Sequence, residues 1–317
     1  DYTVTEDALP TGWDFESLNC DASTADVEFV ITPATRKVTF DIENAADILD
    51  CTYTNRARGT IVVEKITDDG MGSFNYTSNT LPSAPFTLTT TAPGAAGKDS
   101  ETNSDLAPGT YDVAETVPAG WHLVGTPSCS DGSPISAISL QGGETVTCTF
   151  HNARDRGAID ILKLRKHAAL GSDDVPHAGV TFTVTGGGIP APGIAVVTDA
   201  DGKACVPGLL LSSFVGNYTV TETVPSGYHV VSTNPQVKSV TAVATCSTGS
   251  RPLAEFHNMP LTDVTISVNS QVNGGTASSW TCDNGGPSGS TGANGDGSST
   301  ATNLEPTVLH CTITVDP

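Results

Sequence analysis

A lysine, a glutamate and an asparagine recur at corresponding positions in two stretches of this 317-residue sequence. Lys65 ends an alternating apolar run that begins at Ile61, and Lys163 ends the matching run that begins at Ile159. Because successive side chains of a β-strand point to opposite faces, each lysine lies on the same face as its apolar neighbours. The pattern therefore predicts that both lysines point into a protein core.

The glutamates and the asparagines follow the same rule. Glu115 and Glu222 lie in two copies of the pattern Tyr-x-Val-x-Glu-Thr-Val-Pro-x-Gly, and a shorter, altered copy contains Glu6. Asn152 and Asn258 each stand two residues after a phenylalanine, near the end of an alternating run. Three polar side chains from three different strands are thus expected to meet in one core in each stretch.

Such a cluster suits one reaction. A buried ammonium and a buried carboxylate are costly unless they neutralise one another or react. Apolar surroundings lower the pKa of a lysine and raise that of a glutamate, so the pair can exist as a neutral amine and a carboxylic acid. The amine can then attack the asparagine carboxamide while the acid polarises that carboxamide and transfers protons. Loss of ammonia leaves a Lys–Asn isopeptide bond, which the protein forms once on itself.

The competing interpretation is an ordinary buried, hydrogen-bonded cluster at each place. Two complete sets in register, each on three strands, favour the bond. The histidines have no catalytic spacing, so we expect no turnover enzyme, and no motif indicates a cofactor or a metal site. We predict two isopeptide sites, each given as lysine, catalytic glutamate and asparagine: Lys65, Glu115 and Asn152, and Lys163, Glu222 and Asn258.

The composition predicts an all-β protein. Apolar residues make up 37% of the sequence, which also contains 32 Gly and 20 Pro, and no long helical pattern is present. Short strands with many turns are typical of β-sandwiches. The formal net charge of −21, with 14 Lys and Arg, argues against binding to nucleic acid or to an anionic membrane surface.

The repeat has a period of about a hundred residues, so the chain is a tandem array. The N-terminal segment matches only the later part of a copy. Its Glu6 and Asn55 correspond to the glutamates and asparagines of the complete copies, but it has no lysine that corresponds to Lys65 or Lys163. The C-terminal segment is either a short disulfide-closed cap or the first half of a module. The four parts are the N-terminal segment, the first complete module, the second complete module and the C-terminal segment: residues 1–57, 58–155, 156–259 and 260–317.

The eight cysteines fall two in each part, without a Cys-x-x-Cys pair. An even number at regular places predicts disulfides that form outside the cytoplasm. The chain begins at Asp1 and not at a methionine, which we interpret as a processed or excised terminus, so missing targeting signals carry no information. We expect the disulfides to stay within the four parts: Cys20–Cys51, Cys129–Cys148, Cys205–Cys246 and Cys282–Cys311.

The order of these residues resembles a known family, the B-type, prealbumin-like repeats of Gram-positive collagen adhesins and pilins. The resemblance covers residues 58–258 well, the N-terminal segment as a partial copy and the C-terminal segment loosely. It implies a tandem array of Ig-like or prealbumin-like β-sandwiches, with an intramolecular isopeptide bond made by the same three residues. The paired cysteines are not part of the family's common pattern.

These expectations favour a structural protein, namely a subunit or segment of an extracellular filament, pilus or surface stalk. A crosslink between the first and last strands of a module would carry load through covalent bonds. The alternative is a surface adhesin that binds a glycan or a matrix protein, with the Gly-rich loop at 283–299 as its best candidate site.

Copies of the chain itself are the expected partners. The N-terminal segment supplies later strands and the C-terminal segment supplies opening strands, and an incomplete sandwich exposes strand edges. The C-terminal segment of one copy would complete the N-terminal segment of the next, head to tail, without an isopeptide bond because it contains no lysine. A longer precursor that lost the missing half is the open alternative.

Overall fold

A computed structural model describes residues 1–166, 173–269 and 277–315. Almost all regular structure in these residues is β-strand, which confirms the predicted all-β fold. The exceptions are two short 3-10 helices and one four-residue α-helix: Pro33–Thr35, Ala95–Gly97 and Ser212–Val215. The chain divides into two compact units, Asp1–Arg154 and Asp155–Pro317. None of the helices in the described residues is long and apolar enough to span a membrane.

The N-terminal segment forms two small sheets. One sheet has the strand order β1-β4-β3, and the other contains β2 and β5 alone. Leu18, Val27 and Val38 are buried, whereas Tyr2, Val4 and the other residues of β1 are exposed. The strands are β1 (Tyr2–Thr5), β2 (Trp13–Ala22), β3 (Phe29–Thr32), β4 (Lys37–Phe40) and β5 (Leu49–Ala57).

The first complete module is built around a parallel pair, in which its opening strand β6 lies beside its closing strand β15. Its main sheet has the order β12-β15-β6-β9, with β13 also pairing with β15, and it faces the sheet β11-β7-β8. The strands are β6 (Gly59–Thr67), β7 (Ser73–Thr77), β8 (Phe86–Thr89), β9 (Asp99–Leu106), β10 (Gly109–Tyr111), β11 (Ala114–Thr116), β12 (Trp121–Leu123), β13 (Ser128–Cys129), β14 (Ile138–Leu140) and β15 (Thr145–Arg154).

The glutamate strand of this module is interrupted, although the repeat predicts one continuous strand. Tyr111 ends β10, which pairs with β14, whereas Glu115 lies on β11, which pairs with β7. Between them, the carboxylate of Asp112 accepts a hydrogen bond from Thr80 Oγ1 at 2.6 Å, and Val113 N donates to Ile135 O at 2.9 Å. These contacts bend the chain from one sheet to the other.

The second complete module repeats the parallel pair with β16 and β24. Its sheets have the orders β17-β16-β24-β22, with β20 also on β16, and β19-β18-β21-β23. Here the glutamate strand β21 is continuous, and Tyr218, Val220 and Glu222 are all buried. The strands are β16 (Arg156–Arg165), β17 (Val175–Pro176), β18 (Thr181–Gly186), β19 (Ile194–Val197), β20 (Lys203–Leu210), β21 (Tyr218–Glu222), β22 (Tyr228–Val230), β23 (Gln236–Lys238) and β24 (Leu253–Pro260).

The C-terminal segment again has two small sheets. One contains β25 and β28, and the other has the order β27-β26-β29 with Trp280 buried on β26. The candidate loop at 283–299 is therefore partly strand, because it includes β27 and the beginning of β28. The strands are β25 (Thr262–Asn269), β26 (Ser279–Cys282), β27 (Ser288–Ser290), β28 (Asp296–Leu304) and β29 (Cys311–Thr314).

Each closing strand continues almost directly into the next opening strand. One residue separates β5 from β6, β15 from β16, and β24 from β25. Gly59 and Gly157 near the start of two opening strands allow a close backbone approach, since a Cβ at either position would lie under 3.0 Å from a backbone oxygen. The connections are therefore too short to act as free linkers.

The structure contains four disulfide bonds, with the pairing expected from the sequence. Three of them join directly opposed residues of neighbouring antiparallel strands, with Cα–Cα distances of 3.9 to 4.1 Å. Cys205 and Cys246 differ, because they join β20 to a loop with a Cα–Cα distance of 5.8 Å.

Candidate functional site

The first candidate site lies in the core of the first complete module. Lys65 Nζ donates a hydrogen bond of 2.7 Å to Glu115 Oε1, and a second one to Asn152 Oδ1. The side chains of Lys65 and Glu115 are 0% and 1% exposed. The structure thus brings together the three residues that the sequence placed in one site.

The register of the parallel pair explains this position. Lys65 on β6 lies opposite Phe150 on β15, so Asn152 follows on the same face one pleat further along. Glu115 reaches the lysine from β11, which belongs to the facing sheet. Phe74 closes the site, with its ring centroid 4.0 Å from the lysine nitrogen.

This environment favours the reactive form of the amine. Burial lowers the pKa of Lys65, while the hydrogen bond and the charge of Glu115 partly oppose that shift. Burial and the neighbouring Glu115 also raise the pKa of Tyr76, which therefore stays a neutral phenol. Among the described residues, Asn152 Nδ2 has no hydrogen-bond acceptor, so its departure, when the bond to Cγ breaks, costs no hydrogen bond to the protein.

The second candidate site has the same three residue types in a slightly different arrangement. Glu222 lies between the other two residues. Its Oε1 is 3.1 Å from Lys163 Nζ and accepts a hydrogen bond of 2.5 Å from Asn258 Nδ2. Lys163 and Asn258 are 0% exposed. Burial lowers the pKa of Lys163, and the charge of Glu222 opposes that shift. The site can place a neutral amine, a proton carrier and a carboxamide in contact in one buried cluster.

The N-terminal segment contains an incomplete site. Asn55 Nδ2 donates a hydrogen bond of 2.5 Å to Glu6 Oε1, which is the contact that Asn258 and Glu222 make. Two buried oxygens, Glu6 Oε2 and Asn55 Oδ1, have no donor among the described residues. Lys37 lies on β4 opposite Thr5, so it is not on a strand beside β5.

Two histidines close to the sites were not predicted as part of them. His257 lies beside Asn258. Its Nδ1 is 2.5 Å from Asp174 Oδ2, and its Nε2 is 2.7 Å from Glu255 Oε1. His177 donates its backbone N–H to Lys163 O at 3.0 Å, and burial, followed by the charges of Lys163 and Arg165, lowers its pKa. For His257 the signal available in the sequence was a histidine immediately before the asparagine in both complete modules; His177 has no such signal.

Residues 1–57 and 61–154 match the family model of the prealbumin-like fold domain. These two parts of the chain belong to the prealbumin-like family. The match confirms the resemblance for the N-terminal segment, which lacks a lysine strand, as well as for the first complete module. No curated protein matches the sequence.

Several solved structures are similar to the chain at low sequence identity. The structure of the Bacillus anthracis TIE protein has 16% identity and a TM-score of 0.45, and the match covers 97% of this chain and 56% of that one. The major pilin T-13 of Streptococcus pyogenes has 12% identity, coverages of 65% and 98%, and a TM-score of 0.32. Two B repeat units of the Staphylococcus aureus collagen-binding protein have 14% identity, coverages of 81% and 68%, and a TM-score of 0.23. At these identities and TM-scores the likenesses add no functional assignment to the prealbumin-like modules.

Proposed function

We propose that this chain is a structural segment of an extracellular filament, pilus or surface stalk, in which two prealbumin-like modules are each closed by a Lys–Asn isopeptide bond. The observation that carries the proposal is the buried convergence of lysine, glutamate and asparagine from three strands in each of two modules. Four disulfides support an oxidising, extracellular location.

The bond forms by exchange of one amide for another. The neutral Nζ of Lys65 attacks Cγ of Asn152, and the carboxyl of Glu115 polarises the carboxamide and accepts the proton that the amine loses. Glu115 then returns a proton to the departing nitrogen, which leaves as ammonia. Lys163, Glu222 and Asn258 would react in the same way in the second complete module.

The position of the bond suits a protein under tension. It would join neighbouring parallel strands that are the first and last of their module. Because each closing strand continues into the next opening strand, force would pass from one crosslink to the next through short stretches of backbone. The chain between lysine and asparagine, a separation of 87 residues in the first complete module, would carry no load.

A peptide map tests the proposed chemistry. Proteolysis of the reduced chain should release a branched peptide in which Lys65 is joined to Asn152, and a second in which Lys163 is joined to Asn258. Linear peptides with free lysines at both positions would refute the two bonds. For the structural role, filaments in purified material are the expected result, whereas saturable binding of a glycan or matrix protein by monomers would favour the adhesin alternative.

The proposal includes end-to-end association of copies through the two terminal segments. Strand β25 pairs with β28 in the same register in which β6 pairs with β9, and both pairings have an irregularity after the first residue pair. This likeness supports β25 as an opening strand. In that register Val268 takes the place of Lys65, so a joint made by β25 would have no isopeptide bond. A chain that stays monomeric in sedimentation at high concentration would contradict this association.

A further inference from the structure

The two candidate sites differ at the residue that faces the glutamate. Glu115 on β11 lies directly opposite Tyr76 on β7, whereas Glu222 on β21 lies directly opposite Phe182 on β18. Directly opposed residues of antiparallel strands have neighbouring side chains on one face of the sheet. The first site therefore has a phenol beside its glutamate at the place where the second site has a phenyl ring.

We propose that Tyr76 donates a hydrogen bond to Glu115 Oε2 while the first isopeptide bond forms, and that it is a positioning residue for this reaction. It acts through the glutamate and keeps its own proton throughout. This inference rests on the proposed function, because it concerns the rate at which the same bond forms. It gives the first site a group that the second site lacks, so the two bonds should form at different rates.

Two buried polar atoms of the first site have no hydrogen-bond partner among the described residues: the hydroxyl oxygen of Tyr76 and Oε2 of Glu115. A neutral phenol can donate a proton, and a carboxylate oxygen can accept one. Tyr76 is fully buried and the glutamate side chain nearly so, and unpaired polar groups in such a place are costly. Burial, followed by the charge and the hydrogen bonding of Glu115, raises the pKa of Tyr76, so the phenol lies within reach of this carboxylate.

Two phenylalanines hold the phenol ring in place. The ring of Tyr76 stacks on Phe86 with the centroids 5.2 Å apart, and it meets Phe150 edge to face at 5.1 Å. Phe150 lies opposite Lys65 in the parallel strand pair and precedes Asn152 by two positions. The strand that carries the asparagine therefore also helps to fix the position of the hydroxyl.

The contacts of the two lysines differ in the way that this role requires. Lys163 Nζ lies 3.1 Å from one carboxylate oxygen of Glu222 and 3.2 Å from the other, while the carboxamide oxygen of Asn258 has no donor in the described part of the chain. Lys65 Nζ instead divides its hydrogen bonds between Oε1 of its glutamate and the carboxamide oxygen of Asn152. A phenol that supplies the donor for the second carboxylate oxygen leaves Lys65 free to approach the carboxamide that it attacks.

The hydrogen bond from the phenol should matter most late in the reaction. When Glu115 gives a proton to the departing nitrogen, it becomes a carboxylate in a buried place. Hydrogen bonds to a charged group are stronger than those between neutral groups, and burial strengthens them further. Loss of this one hydrogen bond should therefore slow formation of the first bond by roughly tenfold or more.

The test follows both bonds in one sample. The chain is recovered unfolded from inclusion bodies in urea, its unmodified mass is verified, and it is refolded by dilution. Samples taken over time are digested, and the two branched peptides are quantified. In Tyr76→Phe the peptide that contains Lys65 and Asn152 should appear roughly tenfold more slowly or slower still, whereas the peptide from the second complete module should appear at an unchanged rate.

Two further samples separate the hydrogen bond from packing. Tyr111→Phe is the matched control, because it removes a phenol hydroxyl of the same module that donates to Ala107 O and not to the glutamate, and it should change neither rate. A tyrosine fluorinated beside its hydroxyl group, incorporated at position 76, is a stronger hydrogen-bond donor of nearly the same size. It should speed formation of the first bond.

The outcomes distinguish this inference from the proposed function. If both bonds form in the unmutated chain and Tyr76→Phe leaves the ratio of their rates unchanged, the role of Tyr76 is refuted and the proposed function stands. If neither bond forms in the unmutated chain, the proposed chemistry is wrong and the inference fails with it. An equal slowing in Tyr111→Phe, or no acceleration by the fluorinated tyrosine, would assign the effect to packing and overturn the inference.

Discussion

Replacing Glu115 by alanine removes the group that transfers protons but leaves Lys65 and Asn152 in place. We expect the first complete module to fold without its isopeptide bond. The bond closes a loop with a separation of 87 residues, for which the chain-entropy model gives a stabilisation of about 4.5 kcal/mol. For a module of this size the loss lowers the melting temperature by roughly 20 to 30 °C.

Single-molecule stretching gives the most direct assay of this variant. In the unmutated chain the residues between Lys65 and Asn152 should not extend. In Glu115→Ala they should add roughly 290 Å, at about 3.4 Å for each of the 87 residues. The disulfide Cys129–Cys148 lies inside this stretch with a separation of 19 residues, so without reductant the added length should be roughly 65 Å shorter.

The matched control is Glu6→Ala, which changes a glutamate at the same place in the repeat but in a site without a lysine. This variant should leave the extension and the number of internal crosslinks unchanged. The reasoning is refuted if Glu115→Ala retains the branched Lys65–Asn152 peptide. An extension curve identical to that of the unmutated chain would refute it as well.

Three further changes have defined outcomes. In Asn152→Ala, burial keeps the pKa of the unlinked Lys65 below 10.5, so between these two pKa values the unfolded state binds more protons than the folded state. The free energy of unfolding, measured with urea, should therefore rise with pH in this window, and a falling or flat profile would contradict the assignment. In the Glu115→Ala background the disulfide Cys129–Cys148 closes a loop that no isopeptide bond encloses, so the double variant Cys129→Ser, Cys148→Ser should lose about 3 kcal/mol of stability there. No loss would mean that the disulfide is not formed. The Arg58 guanidinium binds Asp14 of the N-terminal segment at 2.8 Å and Asp105 of the first complete module at 3.2 Å, so Arg58→Ala should loosen the segment from the module. NMR relaxation should show faster independent motion of the segment, and unchanged relaxation would exclude this role.

Much of the site could be predicted from sequence because strand periodicity is a local property. The alternation of apolar residues before Lys65 and Lys163 was enough to place both lysines in the core, and both are fully buried. The offset of Asn55 from Cys51, repeated at Asn152, was enough to align the incomplete copy with the complete ones. Both arguments use only spacing within a few residues of one strand.

Features that depend on contacts between distant parts of the chain could not be predicted in this way. The break between Tyr111 and Glu115 depends on hydrogen bonds between Asp112 and Thr80, more than thirty positions earlier: Thr80 Oγ1 donates to the Asp112 carboxylate and accepts from Asp112 N. The place of His177 beside Lys163 depends on the pairing of β17 with β16. Neither pairing has a signal in the local pattern of apolar residues, and strand order is set by long-range packing.

The intact mass of the unmutated chain after complete disulfide reduction tests the central claim most directly. Two Lys–Asn bonds predict a mass about 34 Da below that of the unmodified sequence, from the loss of two ammonia molecules. The deficit should fall to about 17 Da in Glu115→Ala and in Glu222→Ala, and should remain complete in Glu6→Ala. A reduced chain with the full unmodified mass would show that both modules lack the bond.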